Sequence, residues 1–174
     1  MRGALAIAIS MVLAACGRGD AAGLSDAGRH ARVIEMADGY TRDWPQLPRV
    51  DAAALRAGAL DNPVLVDCRK ASEQAVSRLP GAVVRDDFEA QRNADPQRFA
   101  GRPVVIYCTI GYRSGRYAAA LRKQGVDAYN LHGGVLDWAH DGGAFLTPQG
   151  ADTRDVHVYG RQWSLLPEGY DAAY

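Results

Sequence analysis

Residues 104–117 read VVIYCTIGYRSGRY and join an apolar run to a helical segment through a cysteine. The four residues before Cys108 are apolar and three of them are β-branched, which is typical of a buried strand. We expect a helix to begin near Ser114, because an alanine-rich segment follows and ends at Gly125. Cys108 is therefore either a small core residue or a nucleophile held over the positive end of a helix.

The same alternation of short apolar runs and helical segments continues on both sides of this cysteine. Strands are predicted within 63–69, 81–84, 103–108 and 127–134, with helical segments between them. This pattern predicts an α/β fold with a mostly parallel central sheet and helices on both faces. Ligands of such folds bind at the carboxyl ends of the strands, which is where Cys108 lies.

Length and charge exclude some classes of function. The chain has 174 residues, enough for one compact domain, and its 20 basic residues balance 20 acidic ones. A neutral chain lacks the excess positive charge on which broad nucleic-acid binding depends, so we expect no nucleic-acid partner. We also expect no metal site, because the histidines show no ligand spacing with Cys108. These histidines are His30, His132, His140 and His157.

The N-terminal sequence MRGALAIAISMVLAAC has the layout of an export signal. Arg2 precedes an apolar run that is too short for a comfortable membrane-spanning helix, and small residues end at Cys16. LAAC at 13–16 resembles the lipobox of bacterial lipoproteins, which implies cleavage before Cys16 and lipidation of its sulfur. We therefore expect a lipid-anchored protein of a bacterial cell envelope, facing the periplasm or the exterior. An ordinary cleaved signal and an uncleaved anchor are the alternatives.

Composition divides the chain into four parts. Residues 1–15 form the predicted signal peptide, and 16–47 read as a tether and an extended arm rich in small residues and prolines. The regular pattern fills 48–146. Residues 147–174 form a tail whose aromatic side chains we expect to pack on the domain.

The loop after Cys108 has the chemistry of an activated thiol. Backbone N–H groups at a helix start have no partner within the helix and point at whatever lies above them. A thiolate in such a nest has a lowered pKa, which makes a cysteine reactive. Gly111 allows the loop to curl, and Arg113 offers a planar clamp for an anion.

Several motifs, in order, resemble the signature segments of single-domain rhodanese sulfurtransferases. The resemblance covers about residues 50–145. The matching residues are Asp67, Arg69 and Glu73, then Pro80, Gly81 and Ala82, then Cys108 to Arg113 with Ser114 and Gly115, and finally Leu131, Gly133, Gly134 and Trp138.

This resemblance implies a rhodanese-like fold and sulfur transfer through a persulfide on Cys108. The thiolate would take sulfur from an anionic donor such as thiosulfate and pass it to a thiol or cyanide, with no cofactor. Arg113 would either orient the donor or brace the loop, and Asp67 with Arg69 would form a structural pair. The loop implied to bind the substrate comprises Thr109, Ile110, Gly111, Tyr112, Arg113 and Ser114.

Cys68 departs from the family pattern, which commonly has an apolar residue at this position. It could be a buried small residue, a resolving thiol for the Cys108 persulfide, or the partner of Cys108 in a disulfide. Alternation along the strand places Cys68 on the opposite face from Asp67 and Arg69, under a helix. We therefore expect a packing role, with Cys108 as the one reactive thiol of the domain.

Two other functions compete with sulfur transfer. A cysteine-dependent phosphatase or arsenate reductase also uses a cysteine, a loop of N–H donors and an arginine. Its rhodanese-like members have one more loop residue, whereas four residues separate Cys108 from Arg113 here. A non-catalytic rhodanese-like module that binds a protein partner is the second alternative.

Overall fold

The computed structural model describes residues 23–174, so the predicted signal peptide and Cys16 lie outside the described residues. Its central sheet has five short strands: β1 (Arg49–Val50), β2 (Val64–Asp67), β3 (Val83–Val84), β4 (Val104–Tyr107) and β5 (Ala128–Leu131). Their order across the sheet is β1-β5-β4-β2-β3, and every neighbouring pair is parallel. The predicted parallel α/β sheet is therefore confirmed.

Six α-helices surround this sheet: α1 (Asp26–Thr41), α2 (Ala52–Arg56), α3 (Ala71–Val76), α4 (Arg85–Ala94), α5 (Tyr112–Arg122) and α6 (Gly134–His140). One face of the sheet packs on α1, α2 and α6, and the other packs on α4 and α5. Strand β4 is buried along its whole length, because Val105 and Tyr107 face the first layer while Val104 and Ile106 face the second.

Helix α1 covers most of the segment that we expected to be a tether and an arm, and it includes residues 31–40, ARVIEMADGY, for which a short helix was the alternative. Ser25 caps it by accepting a hydrogen bond from the Gly28 N–H at 3.2 Å. Val33 and Ala37, one helical turn apart, are fully buried against the sheet and α6. The cap and this pair of apolar positions fix the helix in place, so the N-terminal segment is part of the domain.

The C-terminal segment also contributes to the core. It contains β6 (Phe145–Leu146), β7 (Asp152–Thr153), β8 (Asp155–His157), a 3-10 turn (Arg161–Trp163) and β9 (Asp171–Ala173). Val156 and Val158 are fully buried, and Leu165 is nearly so, in the same apolar cluster as Val33. Among the helices of residues 23–174, none has the length and apolar character needed to cross a membrane.

Candidate active site

Cys108 follows the last residue of β4, and the loop after it folds around its sulfur. The Gly111 N–H donates to Cys108 Sγ at 3.2 Å, and the Ser114 hydroxyl donates to the same sulfur at 3.4 Å. Gly111 has a φ of 113°, a left-handed conformation that favours glycine, and it lets the loop turn directly into α5. The helix consequently begins at Tyr112, two residues before the predicted start.

Exposure differs sharply among the loop side chains. Thr109, Ile110 and Ser114 are buried, whereas Tyr112 is 40% exposed at the surface. Cys108 itself is only 1% exposed. A reactant must therefore reach a recessed sulfur that is surrounded mainly by the backbone of its own loop.

Cys68 lies beside Cys108, at the carboxyl edge where their neighbouring strands both end. The prediction that Cys68 faces away from Asp67 agrees with the structure, where it packs on the cluster containing Val66 and Ile106. Cys108 follows Ile106 by two residues and therefore points to this same face. Cys68 thus packs under the helix layer as expected, and it also neighbours Cys108, as its two other interpretations require.

The two thiols have opposite pKa shifts. Burial raises the pKa of the Cys108 thiol, but the adjacent Cys68 thiol, hydrogen bonds from Ser114 and the Arg113 charge bring it well below its usual range. The adjacent Cys108 and burial raise the pKa of Cys68 well above its usual range. Cys108 is therefore the more readily ionised of the two thiols.

Arg113 turns away from the sulfur and toward a carboxylate. Its guanidinium binds Glu73 at two points, Nη1 to Oε2 at 2.6 Å and Nη2 to Oε1 at 2.8 Å. It also donates to Thr109 Oγ1 at 3.0 Å, and Tyr159 lies over its outer face. The planar donor fork is thus occupied within the protein, and Arg113 holds the loop against α3.

Helix α6 supports the loop from the other side. The Val135 N–H donates to the Cys108 carbonyl at 3.0 Å, and the Leu136 N–H donates to the Thr109 carbonyl at 3.3 Å. A Cβ on Gly134 would lie 2.3 Å from the Cys108 carbonyl oxygen, so no other residue fits without displacing the loop. The sequence motif contained this glycine, but its contact with the loop is visible only in the folded chain.

Asp67 and Arg69 form a buried structural pair below the site. Both side chains are fully buried, and Arg69 Nη2 donates to Asp67 Oδ2 at 2.8 Å and to the Ser77 carbonyl at 2.6 Å. The Tyr107 hydroxyl donates to Asp67 Oδ2 at 2.9 Å. These contacts join the end of β2 to the segment after α3, and none of them reaches Cys108.

Aromatic side chains from both ends of the chain flank the loop. Tyr40 of α1 stacks on Trp163 at 5.4 Å between ring centroids, and it meets Tyr112 edge-on at 6.0 Å. Trp44 contacts Tyr112 from the opposite side, and Tyr159 meets Trp163. The sequence placed these residues outside the regular pattern, so their position at the mouth of the site was not predictable from it.

His132 lies near the same edge of the sheet but faces Asp38 of α1, with 3.2 Å between Nε2 and Oδ1. Its burial lowers its pKa. Within residues 23–174, no three His, Cys, Asp or Glu side chains are grouped so that they could hold a metal ion.

The parallel sheet, the cysteine at its carboxyl edge and the six-residue loop define a class of protein. Residues 51–141 match the family described as the rhodanese-like domain, and this chain belongs to that family. A sulfurtransferase of Allochromatium vinosum is 32% identical over 108 residues, which cover 58% of this chain and 96% of the relative.

Other relatives share only part of their length with this chain. A tRNA uridine(34) hydroxylase of Jannaschia sp. is 34% identical over 83 residues, which cover 44% of this chain and 28% of the relative. A similar hydroxylase of Ruegeria pomeroyi is 31% identical, with 38% of its length covered. The rhodanese-like domain of an Anabaena protein matches with a TM-score of 0.50 at 21% identity, covering 60% of this chain and 87% of that one, which supports the fold alone.

Proposed function

We propose that this protein is a sulfurtransferase that carries sulfane sulfur on Cys108. The observation that carries this proposal is the set of donors aimed at the sulfur, the Gly111 N–H and the Ser114 hydroxyl. These groups stabilise a thiolate, and they are also suited to hold the negative terminal sulfur of a persulfide. The sulfurtransferase relative, which is covered over almost its whole length, agrees with this function.

The reaction has two displacement steps. The Cys108 thiolate attacks the outer sulfur of a small anionic donor such as thiosulfate, and sulfite leaves with its bonding electrons. The resulting persulfide carries its charge on the terminal sulfur, within reach of the loop N–H groups. A thiol or cyanide then attacks that terminal sulfur and releases the Cys108 thiolate.

Phosphoryl transfer fits the site less well. A cysteine-dependent phosphatase needs an arginine directed at the oxyanion, but the Arg113 guanidinium is bound at two points by Glu73. The loop also has only four residues between Cys108 and Arg113, fewer than in the rhodanese-like phosphatases. Both features favour transfer of a single sulfur atom over transfer of a tetrahedral group.

The test is thiocyanate production from thiosulfate and excess cyanide. The wild-type chain should turn over, and Cys108→Ala should fall to the uncatalysed rate while remaining folded, since alanine fills most of the space of a buried thiol. Ala53→Ser, at an exposed position on α2, serves as an expressed and purified control. Thiocyanate production that persists in Cys108→Ala would refute the mechanism. A folded wild-type chain that no sulfane donor can load would favour the non-catalytic, partner-binding module.

We also propose that lipid on Cys16 anchors the protein in a bacterial cell envelope, facing the periplasm or the exterior. The support is the sequence LAAC after a short apolar run. Cys16→Ser should abolish acylation and shift the protein from the membrane fraction to the soluble fraction. Unchanged processing and membrane partitioning in this variant would contradict the anchor.

A further inference from the structure

The register of the sheet brings Cys68 and Cys108 together. Strands β2 and β4 are parallel, with Asp67 paired to Tyr107 as the last pair. The Cys68 N–H donates to the Tyr107 carbonyl at 3.1 Å, and its thiol donates to the same oxygen at 3.2 Å. Cys68 and Cys108 are therefore the next pair in register, with side chains on the same face.

This placement meets the distance condition for a disulfide between Cα atoms. Neighbouring strands lie about 4.8 Å apart, and disulfides join residues whose Cα atoms are roughly 4.4–6.8 Å apart. The structure describes both cysteines as free thiols. The sulfur-transfer mechanism above uses only Cys108, so Cys68 is an unused thiol beside a reactive one.

We infer that Cys68 is a resolving cysteine, which attacks the Cys108 sulfur of the persulfide and expels the terminal sulfur as hydrosulfide. The inference rests on the proposed function. The S–S bond between Cys108 Sγ and the terminal sulfur breaks, and a new S–S bond forms between Cys68 Sγ and Cys108 Sγ. The Cys68 proton leaves on the hydrosulfide. Over loading and resolution, the sulfane sulfur gains two electrons and leaves as hydrosulfide, and the Cys68 and Cys108 sulfurs supply one each as they form the disulfide.

The surroundings of Cys108 favour attack at its own sulfur. Gly111 and Ser114 approach Cys108 Sγ from the loop and α5, so a terminal sulfur held by these donors lies on the loop side. Cys68 approaches from β2. A nucleophile attacks a disulfide-type sulfur from the side opposite the leaving sulfur. With the terminal sulfur on the loop side, this is the strand side, where Cys68 lies.

Sulfur loading also weakens one of the obstacles to Cys68 ionisation, while its burial remains. In the resting site, the neighbouring Cys108 thiolate helps keep the pKa of Cys68 high. When the persulfide forms, the negative charge moves one atom outward, and the Arg113 charge that favours a Cys68 thiolate remains. Cys68 therefore becomes nucleophilic after loading rather than before it.

The inferred cycle is a reduction of sulfane sulfur. Thiosulfate yields sulfite in the first step and hydrosulfide in the second, and the enzyme is left with a Cys68–Cys108 disulfide. A dithiol reductant, small or protein-borne, must then reopen this disulfide by exchange before another turnover. Cyanide or an acceptor thiol competes with Cys68 for the same persulfide.

The experiment uses the full chain in detergent with Cys16→Ser, so that Cys68 and Cys108 are its only thiols. Excess thiosulfate is added without any other thiol, and released sulfide, free thiols and intact mass are measured. The chain should release about one sulfide per molecule and lose both titratable thiols. Its intact mass should fall by two hydrogen atoms, and digestion should yield a peptide pair linked through Cys68 and Cys108. Cys68→Val and Cys68→Ser should instead keep one extra sulfur atom on Cys108 and release no sulfide.

Steady-state assays provide the second readout. With dithiothreitol as reductant, sulfide production in Cys68→Ser should fall at least about tenfold more than thiocyanate production at excess cyanide. The serine hydroxyl can still donate to Cys108, so the thiocyanate assay reports any loss of Cys108 activation separately from the loss of the resolving thiol. The resolving role would be overturned if the parent chain retained its persulfide and Cys68→Ser changed neither sulfide nor thiocyanate production. The proposed sulfurtransferase function would still stand after that result. Failure of thiosulfate to load Cys108 in any of these chains would instead overturn the proposed function.

Discussion

Arg113 and Glu73 form a two-point ion pair that joins the cysteine loop to the start of α3. The Glu73 carboxylate also accepts the Lys70 N–H at 3.0 Å and the Thr109 hydroxyl at 3.1 Å. One buried acidic side chain thus satisfies donors from the helix, the loop and the arginine. Its charge should matter both for stability and for the shape of the site.

The ion pair predicts an acid-sensitive contribution to stability. Burial raises the pKa of Glu73, but the bonds from Arg113 and Lys70 prevail and lower it from 4.5 to about 2. The contribution is complete above pH 4.5 and is lost as pH falls toward 2. It should amount to about 3 kcal/mol. In urea unfolding, the stability gap between wild type and Glu73→Gln should narrow as pH falls from 5 to 3. The exposed Glu35→Gln should leave a small, constant gap, and a Glu73→Gln gap that does not change with pH would contradict the pair's role.

Arg113→Lys should slow sulfur transfer equally for anionic and uncharged donors. Lysine keeps the charge but cannot make two parallel bonds to Glu73, so the loop loses a brace rather than an anion clamp. The ratio of kcat/KM for thiosulfate to that for an uncharged persulfide donor should therefore stay within about twofold of wild type. A loss confined to thiosulfate would show that Arg113 binds the donor.

Gly134→Ala should disrupt the active site. The added Cβ would collide with the Cys108 carbonyl oxygen at 2.3 Å and the Thr109 carbonyl at 2.7 Å. Gly142→Ala is the matched control, because Gly142 also has a positive φ, of 70°, but its Cβ would meet open space. We expect both variants to lose about 1 kcal/mol from backbone strain, and only Gly134→Ala to lose most of its transfer activity. Similar activity in the two variants would show that α6 does not shape the loop.

Asp67→Asn should destabilise the fold by about 3 kcal/mol or more, because Arg69 would remain as a buried charge with no carboxylate partner. The free energy of unfolding at pH 7 measures this loss. Asp86→Asn removes a similar pair at the surface, between Arg85 and Asp86, and should cost less than about 1 kcal/mol. Equal losses of unfolding free energy at the two sites would mean that burying the Asp67–Arg69 pair does not increase the cost of removing its carboxylate.

The sequence predicted the sheet well because its strands are buried on both faces and therefore appear as continuous apolar runs. It also placed Cys108 at the edge where β4 ends, since that follows from the strand direction alone. For helix α1, the sequence allowed only a short helix over 31–40, because only two buried residues, Val33 and Ala37, mark its inner face. The sequence also suggested a reaction between Cys68 and Cys108, but the register that makes them the next pair after Asp67 and Tyr107 is visible only in the folded sheet.

The dependence of the cysteine loop on its backbone has a consequence for protein engineering. The Gly111 N–H stabilises the sulfur, and α6 fixes the Cys108 and Thr109 carbonyls, so none of these contacts uses the side chain of Tyr112. Tyr112 lies within the loop yet points outward, 40% exposed. Substitutions at this position can therefore reshape the entrance for different sulfur donors or acceptors while leaving the reacting atoms in place. Reactivity and selectivity are encoded in separate parts of the same six residues.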